Sequence, residues 1–245
     1  MSKTRQVNQT TVLILAAGRG ARMRELTQHT PKPLIKLGQH SLIEHHLMRL
    51  AALGFKDIVI NIAYLAEQIS AALGDGSRYG LRIRYSDESS TGALETAGGI
   101  ANALPLLKSD HFIVINSDIY TDFDYRQLLD VTDHHAHLVL VPNPAHNPLG
   151  DFGLTQQGIV VRKKSPEPTY TFSGIARYAK LLFSDVPVKK QPLSPVFDTL
   201  IQQGTLHGCL YNGLWQDVGT PERLKEIEQE QPLTTESENN PALDV

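Results

Sequence analysis

Short apolar runs alternate along the first half of this 245-residue chain with stretches whose apolar positions recur every three or four residues. Val12–Leu15, Asp57–Ile62, Leu81–Tyr85, Phe112–Ile115 and Leu138–Val141 have the length and β-branched content of buried strands. Between the first two, Ile43, Leu47 and Leu50 share one helical face. Ser41 and Glu44 have capping-box spacing there, and Gly54 can close the C-terminus. Further helices are predicted over Leu65–Leu73 and Thr96–Leu104. This alternation implies βαβ units: an α/β fold with a mixed, mainly parallel sheet flanked by helices, in a single domain. Such sheets bind ligands at the carboxyl ends of their strands.

The second half is less regular. Residues 142–148 form a proline- and asparagine-rich loop, followed by Gly150-Asp151-Phe152-Gly153. Strands are predicted over Gly158–Arg162 and Tyr170–Tyr178. Ser194-Pro195 predicts a helix with the serine as N-cap, and Thr220-Pro221 starts a last helix by the same logic. A strand region over Leu206–Leu214 precedes Trp215-Gln216-Asp217-Val218-Gly219. Residues 1–10 read as a flexible N-terminal extension, 11–229 as the folded domain, and 230–245 as a polar, disordered tail.

Composition narrows the partners. With 23 basic against 26 acidic side chains there is no overall basic field, so nucleic acid is not an expected partner. No apolar stretch reaches the roughly 18–20 residues that span a bilayer, so no membrane partner is expected either. A single cysteine, Cys209, rules out an internal disulfide and fits a reducing compartment; the expected location is cytoplasmic. The expected assembly is a monomer or a weak homo-oligomer. His134, His135 and His137 lack a carboxylate or cysteine complement and read as surface histidines.

The chemistry is concentrated where the first strand ends. Val12–Leu15 runs into Ala16, Ala17, Gly18, Gly20 and Ala21, then Arg22, then Thr30-Pro31-Lys32-Pro33-Leu34. Glycines let the backbone approach a phosphate closely, and successive N–H groups in such a turn bind anions. Arg22 offers a forked donor and Lys32 a compact charge, which together suit a triphosphate. Two familiar loops are excluded. No Gly-x-x-x-x-Gly-Lys-Ser/Thr string follows Leu15, and Met23 stands where a dinucleotide fingerprint needs its third glycine. Asn116-Ser117-Asp118 follows another strand directly, where a carboxylate can hold a hard divalent cation.

The string Gly18-x-Gly20-x-Arg22-Met23, with Thr30-Pro31-Lys32-Pro33-Leu34, resembles the N-terminal signature of the sugar-1-phosphate nucleotidyltransferases. That family joins a nucleoside triphosphate to a sugar 1-phosphate and releases pyrophosphate. The resemblance implies its Rossmann-like, GT-A-like fold. It also implies that Arg22, Lys32 and Asp118 are catalytic, and that Asp118 and Asp217, the latter in Trp215-x-Asp217-Val218-Gly219-Thr220-Pro221, hold Mg²⁺. The nucleotide is expected on Ala16, Ala17, Gly18, Gly20, Ala21, Arg22, Lys32 and Gly98. Substrate contacts are expected from Glu95 and Thr96, from Asn116, from Asp151, and from Ser173 and Gly174. Lys164 lies where many relatives carry a second basic residue. Two departures stand out: Glu25 replaces a usual proline, and Ser117 a usual glycine.

Over about residues 11–229, strings such as Ile60–Leu65, Gly74–Leu81 and Leu94–Ile100 are similar to one branch, the N-acetylmuramate α-1-phosphate uridylyltransferases of cell-wall recycling. The expected substrates are then UTP and that sugar 1-phosphate. Alternatives are GMP transfer to mannose or heptose 1-phosphate, or a nucleotide-sugar sensor without turnover. A glycosyltransferase of the related fold would carry an Asp-x-Asp pair, and Asn116-Ser117-Asp118 lacks its first carboxylate.

Overall fold

In the computed structural model, residues 3–131, 135–163 and 168–230 are described. The chain runs α1 (Lys3–Gln9), β1 (Thr11–Leu15), the short ribbon β2 (Lys36–Leu37) and β3 (His40–Ser41), α2 (Leu42–Ala52), β4 (Asp57–Ile62), α3 (Ala66–Leu73), β5 (Arg82–Asp87), α4 (Glu95–Ala103) and β6 (His111–Asn116). It continues through β7 (Ile119–Thr121), β8 (Ala136–Val141), β9 (Phe152–Leu154), β10 (Val160–Arg162), β11 (Thr169–Ala179), α5 (Ser194–Gln202), β12 (Leu206–Leu210), β13 (Trp215–Asp217) and α6 (Pro221–Glu230).

Nine strands form one mixed sheet, ordered β10-β9-β11-β6-β1-β4-β5, with β8 also paired to β11 and β12 to β8. The block β6-β1-β4-β5 is parallel. Its central strands are buried on both faces, and successive side chains alternate between the two layers as the pleat requires. Val12, Ile14, Ile58 and Ile60 pack under Ile43, Leu47 and Leu50 of α2 and Ile69 and Leu73 of α3. Leu13, Val59, Phe112 and Val114 face the opposite layer, against Ala97 and Ile100 of α4 and Phe197 and Leu200 of α5. The predicted α/β single domain is therefore observed, with helices on both faces. A smaller core joins Met23, Leu37, Leu42, Val218, Leu224 and Ile227, and so ties the glycine loop to α6. No described helix is long and apolar enough to cross a membrane.

Helix α2 begins with the predicted capping box: the Ser41 N–H donates to Glu44 at 2.8 Å. Four expectations change. The N-terminus is not an unstructured extension over its first ten residues, because Lys3–Gln9 form α1, Val7 is buried and Gln6 donates to the Leu129 carbonyl. The region Leu206–Leu214 splits: β12 ends at Leu210, and β13 pairs separately with β7, a strand too short to show periodicity. Ser194 is the first residue of α5 rather than its cap, with Leu193 at the N-cap. The strand predicted from Gly158 starts at Val160, since Gly158 has φ +77° and closes a turn onto Thr155.

His46, on the buried face of α2, places Nδ1 3.1 Å from the Tyr125 hydroxyl. Burial lowers its pKa to about 4. The unfolded chain therefore binds a proton near pH 6.5 that the native protein refuses, so stability is full above 6.5 and falls as pH drops toward 4. By urea unfolding, wild type should lose up to about 3 kcal/mol across that window beyond the loss in His46→Gln. Parallel pH profiles for the two proteins would contradict this.

Candidate active site

Strand β1 delivers the chain at Leu15 between two asparagines, Asn61 at the end of β4 and Asn116 at the end of β6. The backbone turns there, and its polar groups are taken up at once. The Ala16 N–H donates to Asn61 Oδ1 at 2.7 Å, and the Ser117 N–H to the Leu15 carbonyl at 3.1 Å. Gly20 sits at φ +62°, and a Cβ on it would lie 2.8 Å from the Lys32 Cβ. Glycine is needed at this position both for the left-handed backbone and for the passage of Lys32.

Lys32 lies under the glycine loop with its side chain 9% exposed and donates to Asp118 Oδ2 at 2.5 Å. Arg22 is exposed at the cleft and has no ion-pair partner among the described residues. Glu25 is exposed and outside the cleft lining, so its charge does not oppose a phosphate there. Together these segments wall a cleft of about 570 Å³ at the carboxyl ends of the parallel strands. Of the expected residues, Ala16, Ala17, Gly18, Gly20, Ala21, Arg22 and Lys32 line it on one side. Glu95, Thr96, Asn116 and Asp118 line the other.

Five expected residues are placed differently. The N–H groups of Ala97 and Gly98 do not face the cleft; both donate to the Gln191 carbonyl. A Cβ on Gly98 would collide with the Lys189 carbonyl, so this glycine admits the 187–191 segment rather than a nucleotide. Asp151 is spent on the fold, accepting from the Phe172 N–H at 2.8 Å and from Asn147 at 3.1 Å. Ser173 is buried in a β-bulge, donating to the Val139 carbonyl and accepting from the Ile175 N–H. Gly174, at φ +79°, leaves the room that Asn116 occupies; a Cβ there would sit 2.5 Å from Asn116 Nδ2. Asp217 lines a neighbouring cleft of about 300 Å³ and accepts from Arg223, with His146 Nε2 at 2.9 Å. Lys164 and His134 lie outside the described residues.

Three polar residues in the cleft wall were not anticipated: Asn61, Glu88 and Lys190. Glu88 is 1% exposed. One of its oxygens accepts from Asn61 Nδ2 and the other from the Leu94 N–H, both at 2.8 Å. Burial pushes its carboxyl above the usual range. The chain of bonds from Ala16 through Asn61 and Glu88 to Leu94 fixes the glycine loop relative to α4. Glu95, next in sequence, has φ +59°, unusual for a non-glycine residue, and stands 3.5 Å from Lys190 Nζ. Lys190 carries no sequence signal, because the fold and not a motif brings it to the cleft. Cys209 is half-buried, and burial raises its thiol pKa, which argues against a nucleophile.

Glutamine at position 88 can accept one of those two bonds but must present an NH₂ to the other donor. Glu88→Gln should cost about 1–3 kcal/mol. Calorimetry should show a melting temperature lower by several degrees. An unchanged melting temperature would contradict the assignment of both bonds to Glu88.

Comparison with known proteins identifies the family and the fold. The nucleotidyl transferase family model matches residues 11–232. An N-acetylmuramate α-1-phosphate uridylyltransferase of Neisseria meningitidis serogroup B is 47% identical over 222 residues, covering 88% of this chain and 96% of that protein. A mannose-1-phosphate guanylyltransferase of Mycobacterium tuberculosis is 29% identical, covering 88% of this chain but 62% of that longer protein. Among solved structures, HddC from Yersinia pseudotuberculosis in complex with GMP-PN superposes with a TM-score of 0.75 at 23% identity, covering 90% of this chain and 99% of that one. A Bacillus anthracis protein in complex with sucrose reaches 0.79 at 20% identity, covering 94% and 97%.

Proposed function

The chain belongs to the sugar-1-phosphate nucleotidyltransferase family, and from that premise we propose that it makes UDP-N-acetylmuramate and pyrophosphate from UTP and N-acetylmuramate 1-phosphate. The observation that carries the choice of substrates is the 47% identity to the Neisseria uridylyltransferase across nearly the whole of both chains. The reaction belongs to the reuse of peptidoglycan sugars in this reading.

The physical task is to bring two polyanions together. A sugar phosphate is already an oxyanion at neutral pH, so no strong general base is needed. Its oxygen attacks the α-phosphorus of UTP, a new P–O bond forms, and the bond to the β-phosphate breaks in line with it. The triphosphate lies along the backbone N–H groups of the Ala17–Ala21 loop, while the Ala16 N–H stays on Asn61. Arg22, exposed and unpaired among the described residues, takes the charge of the departing pyrophosphate. Lys32 acts as a fixed charge: its ammonium, held by Asp118, steadies the phosphates and is not the nucleophile.

Asp118 and Asp217 suit a divalent cation. The Val218 N–H donates to the Asp118 carbonyl at 2.7 Å and Asp217 pairs with Ile119, so the two carboxylates sit on adjoining backbone. Each is already paired with a cationic side chain, Lys32 and Arg223, which marks both as seats for positive charge. Two carboxylates plus phosphate oxygens form the donor set Mg²⁺ prefers, and the ion would supply Lewis-acid stabilisation of charge at the α-phosphate.

Pyrophosphate release with Mg²⁺ should be measured over UTP, GTP, dTTP, CTP and ATP crossed with N-acetylmuramate, N-acetylglucosamine, mannose and glucose 1-phosphates. UTP with N-acetylmuramate 1-phosphate should give the dominant rate. A dominant rate for GTP with mannose 1-phosphate would overturn the substrate assignment and favour the guanylyltransferase relatives. Asp118→Asn should lower kcat at least about 10²-fold with an unchanged circular dichroism spectrum. Near-normal turnover would remove Asp118 from the mechanism.

A further inference from the structure

Asp217 is not a bare carboxylate. Its Oδ1 accepts from Arg223 Nη1, and His146 Nε2 stands 2.9 Å from the same oxygen and 3.0 Å from Arg223 Nη1. The guanidinium is enclosed, with the Arg223 side chain 17% exposed and that of Asp217 19%. It is also held from behind: Arg223 lies in the first turn of α6, and its neighbours Leu224 and Ile227 are sunk in the small core with Met23 and Val218. Gly219 completes the arrangement. A Cβ at that position would overlap Arg223 Nη2, and Gly219 itself lines the main cleft beside Asp118. The guanidinium therefore packs against a glycine that also lines the proposed phosphate site.

We propose that Arg223 is the resident counter-ion of Asp217 and that a divalent cation must displace it, so that Arg223 sets the metal affinity of the site. The proposal rests on the reading of Asp217 as a metal ligand. A cation and a guanidinium cannot share one carboxylate oxygen without repulsion, and an Arg–carboxylate pair in a partly dry site is a strong competitor. The arrangement gives an order to binding. In the free protein Arg223 weakens the site for the metal. A bound polyanion offers the freed guanidinium a new acid partner across Gly219, so nucleotide and metal favour each other's binding. Arg223 is thus a positioning residue, acting through Asp217 and not on the reacting atoms.

The test uses the full chain and Mn²⁺ alone, with free Mn²⁺ followed by electron paramagnetic resonance and no substrate present. Arg223→Met should bind Mn²⁺ at least tenfold more tightly than wild type, and Arg223→Lys, which keeps the charge, should stay near wild type. Adding Asp217→Asn to Arg223→Met should abolish the gain. Addition of UTP should tighten Mn²⁺ binding more in wild type than in Arg223→Met. If Arg223→Met folds, as judged by its melting curve, and binds no more tightly while Asp217→Asn alone weakens binding, the counter-ion role is wrong and the metal assignment stands. If Asp217→Asn changes Mn²⁺ affinity in neither background, the assignment of Asp217 to the metal fails, and the proposal with it.

Discussion

The pair between Lys32 and Asp118 is the constraint on which the site depends. A lysine with 9% of its side chain exposed needs a partner, and among the described residues it pairs with Asp118, just past the end of β6, 2.5 Å from its nitrogen. Losing either partner would strand the other charge in a partly dry wall, which is why such pairs are costly to break singly. The geometry propagates outward. Lys32 can reach Asp118 only by passing Gly20, and Gly20 can turn only with a left-handed backbone. The loop that follows is then anchored by Met23, buried in the core shared with Val218 and α6. Because Val218 is also bonded to the Asp118 carbonyl, loop, strand end and α6 are tied together.

A second scaffold holds the opposite wall. The bonds from Ala16 through Asn61 and Glu88 to Leu94 span the carboxyl ends of β1, β4 and β5 and the start of α4. Every acceptor on that path is used, which is the condition under which a buried carboxylate rigidifies rather than destabilises its surroundings. The exposed side chains at the cleft, Arg22 and Lys190 among them, stand on this hydrogen-bonded frame. That division suits a reaction in which little covalent chemistry is asked of the protein and most of the rate comes from placing charge.

The frame was more legible in the sequence than the walls. Strands such as Asp57–Ile62 declare themselves through unbroken apolar runs, and the capping box of α2 through two residues at fixed spacing. The glycine loop, Lys32 and Asp118 are legible because backbone conformation and charge act locally in sequence. Asp151, Ser173 and Gly98 share one trait: residue type alone does not say whether a polar group faces a ligand or repairs the fold, and all three serve the fold here. Asp151 caps the Phe172 N–H, Ser173 satisfies a bulge, and Gly98 makes room for a crossing segment. Conversely Asn61, Glu88 and Lys190 come together only after the sheet is assembled, from positions with no local pattern to mark them. Asp217 lies between these cases: its motif is plain, whereas the guanidinium of Arg223 upon it is a product of how α6 packs.

The proposed reaction is a single in-line displacement at the α-phosphorus, with Lys32 serving as a fixed charge. It is tested most directly by the stereochemistry of transfer from UTP carrying a chiral α-phosphorothioate, read from the ³¹P spectrum of the nucleotide-sugar product. A single displacement gives inversion at phosphorus. Retention would mean two successive displacements through a covalent nucleotidyl–enzyme, and would contradict both the direct attack and the role given to Lys32.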